Sequence, residues 1–294
     1  MSLEFPRQIV FNGVIEGLSI GLLALGVVLI YRTSRVINFA VGSIGALSAT
    51  MLALTVIRYD WNYWLALGAA LFTGAAFAAA AEITVVTRLF TAPRVILLVA
   101  TIGIAQLADL FRVALPDLGL QLGGRYPLPF DGSWTVGGVE ISAAELIVLT
   151  VVPVITIGLT LFLGRTRLGK TVQASAANVD KARLSGINPK IVSTCVWTLA
   201  GLLAAVTAIL IAGTRGQLAG IETIGPAILT RVLAAALIGA MVSFPRALLG
   251  GLAIGVVETL VRFNYPSHGG RIEALLFVAM AVTVWFITRR HTAD

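Results

Sequence analysis

Long apolar runs separated by short polar gaps occupy most of this 294-residue chain. A helix needs about 20 apolar residues to cross a bilayer, because each residue adds about 1.5 Å and the hydrocarbon layer is about 30 Å thick. The pattern predicts about nine runs of this kind, and the short run at 247–261 carries the weakest signal. The runs are 9–31, 36–57, 64–87, 95–115, 141–163, 192–212, 224–243, 247–261 and 273–288.

The runs predict an all-α fold, a polytopic transmembrane bundle of about eight to nine membrane helices, with residues 1–294 forming a single transmembrane domain. They are too long for the strands of a membrane barrel. Composition agrees, since 12% of the residues are charged and the mean hydropathy is +0.95. A soluble domain carries about 25% charged residues. We therefore expect a multi-pass protein of the cell membrane, surrounded by lipid.

Lysine and arginine are distributed unevenly between alternate gaps. One set of gaps holds 13 of these residues and the other set holds 7. Positively charged gaps favour the cytoplasm, so the first set, which includes 164–191, is predicted to lie inside. The segment 116–140 and the N-terminus are then outside, and the C-terminus is cytoplasmic. The net charge of +7 therefore indicates membrane orientation, and we expect no nucleic-acid partner.

Glycines predict two local features. Gly17 and Gly21, like Gly251 and Gly255, are four residues apart, a spacing that lets helix backbones approach closely. In the outer segment, short β-type runs flank Gly137-Gly138, which predicts a β-hairpin.

The inner segment 164–191 predicts two short helices. The first covers 171–177 and is rich in alanine, and Asn178 can cap a second over 179–185. Gly186 then supplies a C-terminal stop, and Pro189 prevents continuation. Two short helices on an aqueous segment form a knob that suits a groove on a partner protein. The alternative is a solvated basic loop.

The same segment contains a match to a nucleotide-binding pattern. Residues 164–171 read G-R-T-R-L-G-K-T, which fits the phosphate loop G-x-x-x-x-G-K-[ST]. That loop works when a strand precedes it and a helix follows it, inside a soluble nucleotide domain. Here an apolar membrane run precedes it, so we interpret it as a basic turn that leaves the membrane.

Candidate chemistry is sparse. The chain has one cysteine, Cys195, and two histidines, so we expect no metal site, no cofactor and no catalytic residues. Ionisable residues within the apolar runs include Glu16, Asp109, Glu145, Arg231 and Glu258. Of these, Arg231 and Glu258 form a candidate intramembrane ion pair. The uncharged polar residues Asn12, Asn38, Thr101 and Gln106 could line a path for a zwitterion, although hydrogen bonds between helices explain each about as well.

Two motifs resemble those of a known family, the branched-chain amino acid permeases of ABC importers (LivH/LivM type). The N-terminal motif has Asn12-Gly13, Gly17, Ala24-Leu25-Gly26, Ile37-Asn38-Phe39-Ala40 and Gly42. The inner motif runs from Gly169-Lys170-Thr171 through Ala182-Arg183-Leu184-Ser185-Gly186-Ile187-Asn188 and is similar to the family's coupling loop. The resemblance extends over nearly the whole chain. Val41 stands where the family usually has histidine, and residues 239–251 also depart from its pattern.

The resemblance implies a permease subunit that translocates a small polar solute, most simply a branched-chain amino acid; urea, short amides and aromatic acids are carried by related permeases. It also implies three kinds of partner: a second permease subunit, ATP-binding cassette subunits that hydrolyse the ATP, and an extracytoplasmic solute-binding protein. The ATPase-coupling residues would be Lys170, Gln173, Ala174, Ala177, Asn178, Asp180, Ala182, Arg183 and Gly186.

Two other functions compete with this interpretation. An ion-coupled secondary transporter would need an intramembrane ionisable pair or relay, and the charges within the apolar runs leave that alternative open. A membrane enzyme is disfavoured because the sequence has no nucleophile–base spacing and no metal-ligand cluster.

Overall fold

A computed structural model describes residues 6–90, 92–115, 125–216 and 224–265, together with two isolated helical positions, 274 and 278. The described chain is almost entirely helical and includes one small sheet. Its helices are α1 (Arg7–Ser34), α2 (Val41–Ile57), α3 (Tyr63–Ala81), α4 (Arg94–Ala114), α5 (Ala143–Arg165), α6 (Arg167–Ala177), α7 (Val179–Leu184), α8 (Pro189–Arg215), α9 (Ile224–Ile238) and α10 (Phe244–Asn264). Strands β1 (Ser133–Val136) and β2 (Val139–Ser142) lie between α4 and α5.

Six helical segments of the described chain are long and apolar enough to cross a membrane: Arg7–Ser34, Tyr63–Leu89, Arg94–Ala114, Ala143–Arg165, Pro189–Arg215 and Phe244–Asn264. Two shorter apolar helices, Val41–Ile57 and Ile228–Ile238, accompany them. The prediction of a helical membrane bundle is therefore confirmed. The run at 273–288 lies outside the described residues, apart from positions 274 and 278.

The sequence analysis ranked two apolar runs, 247–261 and 224–243, in the wrong order as long helices. The run at 247–261 gave the weakest signal, yet α10 is 21 residues long because Pro245 in its first turn starts the helix at Phe244. The stronger run at 224–243 yields only the 15 residues of α9. Ala240 and Met241 adopt positive φ angles of 53° and 54°, which end the helix before the apolar run ends.

Helices α1 and α8 form the centre of the bundle. From Leu18 to Ile30 every residue of α1 is buried, and α1 packs chiefly on α10 and α8. Helix α8 also packs against α2 and α3. The outward faces of α3, α4 and α5 carry exposed apolar side chains such as Phe72, Val95 and Val154, as expected for faces in contact with lipid or another apolar surface.

The α1–α10 crossing depends on glycine, as the four-residue spacing predicts. A Cβ atom added to Gly17 would lie 2.7 Å from Leu252 Cα, and one added to Gly21 would lie 3.1 Å from Leu248 Cα. Gly251 and Gly255 face these positions from α10 and leave equally little room. The backbones touch, so dispersion contacts between them stabilise the crossing.

The predicted hairpin is also confirmed. Strands β1 and β2 are antiparallel, and Val136 pairs with Val139. Gly137 and Gly138, with φ angles of 61° and 80°, form a two-residue turn that requires positive φ at both positions. Gln8 at the start of α1 holds the hairpin, because its side chain accepts from the Glu140 N–H at 2.8 Å and donates to the Glu140 carbonyl at 3.1 Å.

Candidate functional site

Helices α6 and α7 form a compact knob, residues 166–188, between α5 and α8. Helix α6 begins at Arg167, four residues earlier than predicted, because the Thr166 hydroxyl accepts a hydrogen bond from the Gly169 N–H at 3.0 Å. The Gln173 amide donates to the Leu163 carbonyl at 2.6 Å. Gly169 packs directly on the Phe162–Leu163 backbone, where a Cβ atom would clash. The knob is therefore fastened to the end of α5.

The caps predicted for α7 are confirmed. The Asn178 side chain accepts from the Lys181 N–H at 2.9 Å, and Gly186 takes a positive φ of 79° just after the helix ends. The Ile187 N–H then donates to the Ala182 carbonyl at 3.0 Å. Pro189 follows the end of α7 and also begins the next helix, since it occupies the first turn of α8. These caps fix the knob's shape through local hydrogen bonds.

The predicted coupling residues divide between the surface and the interior of the knob. Lys170, Gln173, Ala174, Ala177, Asn178, Arg183 and Gly186 are exposed. Ala182, by contrast, is only 3% exposed and packs inside the knob, so it cannot contact a partner directly. The side chain of Asp180 lies outside the described part of the structure.

Leu184 is a surface residue that sequence reasoning missed. It is 89% exposed at the end of α7, beside the exposed Arg183 and Ser185. A leucine this exposed on a polar segment offers an apolar anchor to a partner. The sequence carries no signal for this exposure, because it depends on how the two short helices of the knob pack.

The phosphate-loop match has no phosphate-loop structure. Gly164 belongs to the last turn of α5 and Gly169 to the first turns of α6. A helix precedes the match where a nucleotide site requires a strand. Gly169 faces the α5 backbone, so its close approach serves helix packing.

The four polar residues proposed for a path do not meet. Asn38 and Thr101 lie together: the Phe39 N–H donates to the Thr101 hydroxyl at 3.2 Å, and Asn38 accepts from the Ala40 N–H at 2.8 Å. Both line a cavity of about 300 Å³, the inner cavity, which also contacts the knob.

Asn12 lies at the opposite end of α1, and Gln106 is exposed on α4. Between the two ends, the α1 residues from Ile20 to Ile30 are fully packed.

Asn12 lines a second cavity of about 400 Å³, the outer cavity, enclosed by α1, α5, α8, α9 and α10. Its lining combines opposite charges with aliphatic side chains. The lining residues are Asn12, Ile15, Glu16, Ser19, Glu145, Ile211, Thr214, Arg215, Ile228 and Arg262. The carboxylate of Glu145 is already committed to the cap of α5, because it accepts from the Ser142 N–H at 2.7 Å.

A charge cluster around the buried Glu258 adjoins this cavity through Arg262. The Arg231 guanidinium contacts the Glu258 carboxylate at 2.6 Å, and Arg262 contacts the other oxygen of the same carboxylate. Glu258 is buried, whereas Arg262 reaches the outer cavity. Two guanidinium groups on one carboxylate compensate its charge, which a buried carboxylate requires.

Glu82 is a second buried acid, which the sequence analysis did not single out. It begins a π-helical turn, Glu82–Val86, that extends α3. Its carboxylate accepts from the hydroxyls of Thr87 at 2.8 Å and Thr194 at 2.5 Å. Within the described part of the chain it makes no ion pair. Its position inside the apolar run 64–87 was a signal in the sequence, but no sequence pattern marks Thr87 and Thr194 as its partners.

Comparison with known proteins gives a consistent assignment. The family model described as "Branched-chain amino acid transport system / permease component" matches residues 9–287. The permease protein LivH of a high-affinity branched-chain amino acid transport system in Salmonella typhimurium is 31% identical over 275 residues, covering 88% of this chain and 86% of the relative. The corresponding protein BraD of Pseudomonas aeruginosa is 29% identical over 299 residues, covering 96% and 93%.

A more distant relative, the fructose import permease protein FruF of Bifidobacterium longum, is 24% identical over 265 residues, covering 90% of this chain and 72% of the relative. No solved structure matches the chain. The family model spans nearly the full length, and it includes the α1 motif, both cavities and the knob. The chain is therefore a member of the branched-chain amino acid transport system permease family.

Proposed function

We propose that this permease is the membrane-spanning subunit of an ABC importer that moves branched-chain amino acids into the cell, with ATP hydrolysed by separate cassette subunits docked on the knob. The observation that carries the proposal is the knob itself. It is fastened to α5 by Gln173, capped at Asn178, and presents the exposed side chain of Leu184. A rigid projection with an exposed apolar anchor suits a partner groove, because little conformational entropy is lost on docking.

Orientation and span count belong to the same proposal. The hairpin contacts the start of α1 at Gln8, while the inner cavity joins the knob to the end of α1 at Ile30–Ser34. Hairpin and knob thus lie at opposite ends of one membrane-length helix. The lysine and arginine asymmetry supports a cytoplasmic position for the knob and the C-terminus. The six long helices, the two shorter ones and the run at 273–288 support eight or nine spans in a single permease domain, 1–294.

The residues that line the outer cavity support a branched-chain amino acid as the substrate. Glu16 provides a carboxylate and Arg215 a guanidinium on the lining of one cavity, and neither makes an ion pair within the described residues. Ile15, Ile211 and Ile228 supply aliphatic surface beside them. An α-ammonium group, an α-carboxylate and a branched side chain are the three parts of a branched-chain amino acid. The cavity therefore fits a zwitterion released by an extracytoplasmic binding protein.

The exposed side chain of Gln106 supports the proposal that a second permease subunit packs beside α4. It is exposed near the middle of α4, a helix of membrane-crossing length, and its amide makes no hydrogen bond in the described structure. An amide in hydrocarbon without a partner costs several kcal/mol (about 2–7). The face of α4 that carries Gln106 is therefore expected to meet a second subunit or an aqueous path between subunits. The packed middle of α1 is consistent with a path that runs between subunits.

The ion-coupled alternative is not favoured. Both oxygens of Glu258 are occupied by guanidinium groups, which suits a structural cluster more than a carboxylate that binds and releases a proton or cation. Asp109 is likewise engaged, by the Ser43 hydroxyl at 3.0 Å and by Arg112 at 3.5 Å.

Uptake in proteoliposomes tests the proposed function. The permease, reconstituted with its partner subunits and binding protein, should accumulate radiolabelled leucine only when ATP is supplied to the cassette subunits. Excess isoleucine or valine should compete, and fructose or urea should not. Arg215→Gln should raise the substrate concentration for half-maximal uptake about tenfold, since a charge-assisted hydrogen bond contributes about 1.5–3 kcal/mol. Arg125→Gln, a change at an exposed arginine outside the cavity, is the matched control.

Leucine accumulation driven by a proton or sodium gradient without ATP would contradict the importer mechanism. Equal uptake of fructose and leucine would contradict the substrate class while leaving the ATP dependence intact.

A further inference from the structure

The inner cavity is separate from the outer cavity and lies directly beneath the knob. It is bounded by the inner ends of α1, α4 and α8 and by α6, and it has a volume of about 300 Å³. Residues from Ser175 to Val179 of the knob form one wall, and Ser193 and Trp197 of α8 form another. Anything bound here would touch the knob and the membrane bundle at once.

Two buried polar atoms, on residues that line the cavity, have no hydrogen-bond partner among the described residues. They are the indole nitrogen of Trp197, a residue 2% exposed, and the hydroxyl of Ser175, a residue 4% exposed. An indole N–H can only donate, so it needs an acceptor. A buried donor without one is destabilising, and the two residues come from different helices. A hydrogen-bond acceptor bound in the cavity would satisfy both groups.

The positive charge of the cavity lining favours an anion as the acceptor. Arg35 and Arg94 line the cavity, and the described lining includes no aspartate or glutamate. Arg94 is the first residue of α4, whose N-cap position is Pro93 and lacks a capping side chain. The positive end of the helix dipole thus faces the same space. These features favour negative charge independently of the two unpartnered atoms.

We infer that the inner cavity binds a phosphate group, and that this ligand joins the knob to α4 and α8. Residues that carry hydrogen-bond donors line the cavity from four elements: Arg35 after α1, Arg94 on α4, Ser175 on α6 and Trp197 on α8. Donors from several directions suit the tetrahedral oxygens of phosphate better than the two coplanar oxygens of a carboxylate. A bound phosphate would hold α6 against the bundle and so set the stiffness of the knob. The inference goes beyond the proposed function.

Two sources could supply this chemistry. One is the headgroup of an anionic phospholipid, since the cavity lies where membrane-length helices end and the knob begins. The other is a free phosphate compound in the cytoplasm. The two differ in whether acyl chains add to the affinity, and that difference can be measured.

The test uses the full-length permease purified in a phosphate-free maltoside detergent. Saturable increases in melting temperature are followed during titration with a short-chain phosphatidylglycerol and, separately, with inorganic phosphate. Arg94→Gln should weaken binding about tenfold and Ser175→Ala several-fold, in line with charged and neutral hydrogen bonds. Trp197→Phe should weaken it too, but the other two variants suffice if that core change prevents folding. Arg88→Gln, at an exposed arginine outside the cavity, is the control.

Phosphatidylglycerol binding that is tighter than phosphate binding and sensitive to Arg94 and Ser175 supports a lipid headgroup. Equal binding of the two probes with the same sensitivity supports a free phosphate. The inference is overturned if neither probe binds saturably, if Arg88→Gln weakens binding as much as Arg94→Gln, or if Ser175→Ala and Arg94→Gln both bind like the wild type.

Discussion

Glu258 illustrates how single residues hold this fold together. Its carboxylate is buried and lies between the guanidinium groups of Arg231 and Arg262. Glu258→Gln removes the carboxylate charge that Arg231, itself mostly buried, contacts at 2.6 Å. Breaking a buried pair from one side costs about 3–5 kcal/mol, so we expect a large loss of stability. The measurement is reversible unfolding of the purified protein in detergent, followed by circular dichroism.

The pair Arg125–Asp131 offers the matched comparison. Its side chains are 72% and 71% exposed and lie 3.1 Å apart. An exposed ion pair contributes about 0–1 kcal/mol, so Arg125→Gln should unfold almost like the wild type. If the two variants lose similar stability, Glu258 is not the buried structural charge described above.

At the scale of single residues, the sequence predicted features that depend on neighbouring positions better than features that depend on the packing of distant segments. Asn178 and Gly186 were identified from sequence because a cap and a helix stop depend on neighbouring residues only. The separation of Asn12 from Asn38 follows from their positions at opposite ends of the run 9–31, whereas the burial of Ala182 depends on which helices pack together. Leu184 was missed because its exposure is a property of the finished knob. A single sequence contains no direct measure of such contacts.

Among the elements, the α1–α10 crossing is the one most sensitive to side-chain size. Gly17→Val would place atoms within 2.8 Å of the Gly251 carbonyl and 2.7 Å of Leu252 Cα. Overpacking of this kind typically costs about 1–3 kcal/mol, so we expect a lower melting temperature and a lower yield of folded protein. Gly158→Val on α5 is the control, since a Cβ there meets no atom within 4 Å. Equal effects of the two changes would contradict the close crossing.

Element boundaries were predictable where chemistry interrupts the helix. The hairpin turn at Gly137-Gly138 was expected because only such residues adopt positive φ readily. The end of α9 at Ile238 was not, since Ala240 and Met241 carry no sequence signal for the positive φ that they adopt. Apolar runs alone therefore predict the existence of helices better than their lengths.

For the whole molecule, the proposed orientation has a direct test. Ser185 on the knob and Ser133 on the hairpin are both exposed, so single cysteines at these positions, in a Cys195→Ser background, should react readily. In intact cells a membrane-impermeant thiol reagent should label position 133 only. Permeabilised cells should label both, which controls for reactivity. Labelling of position 185 alone in intact cells would reverse the topology.

The central claim is that the knob couples this permease to ATP hydrolysis, and the most direct measurement is ATP-driven leucine uptake combined with co-purification of the cassette subunit. Leu184→Asn removes an anchor that is 89% exposed, so the permease should still fold. Loss of an interface hot spot costs at least about 2 kcal/mol, and we expect cassette binding to weaken more than tenfold and uptake to fall with it. Ser185→Asn, at the adjacent exposed residue, should behave like the wild type. Normal assembly and uptake by Leu184→Asn would contradict the account, because the most exposed apolar contact of the knob would then have no part in coupling.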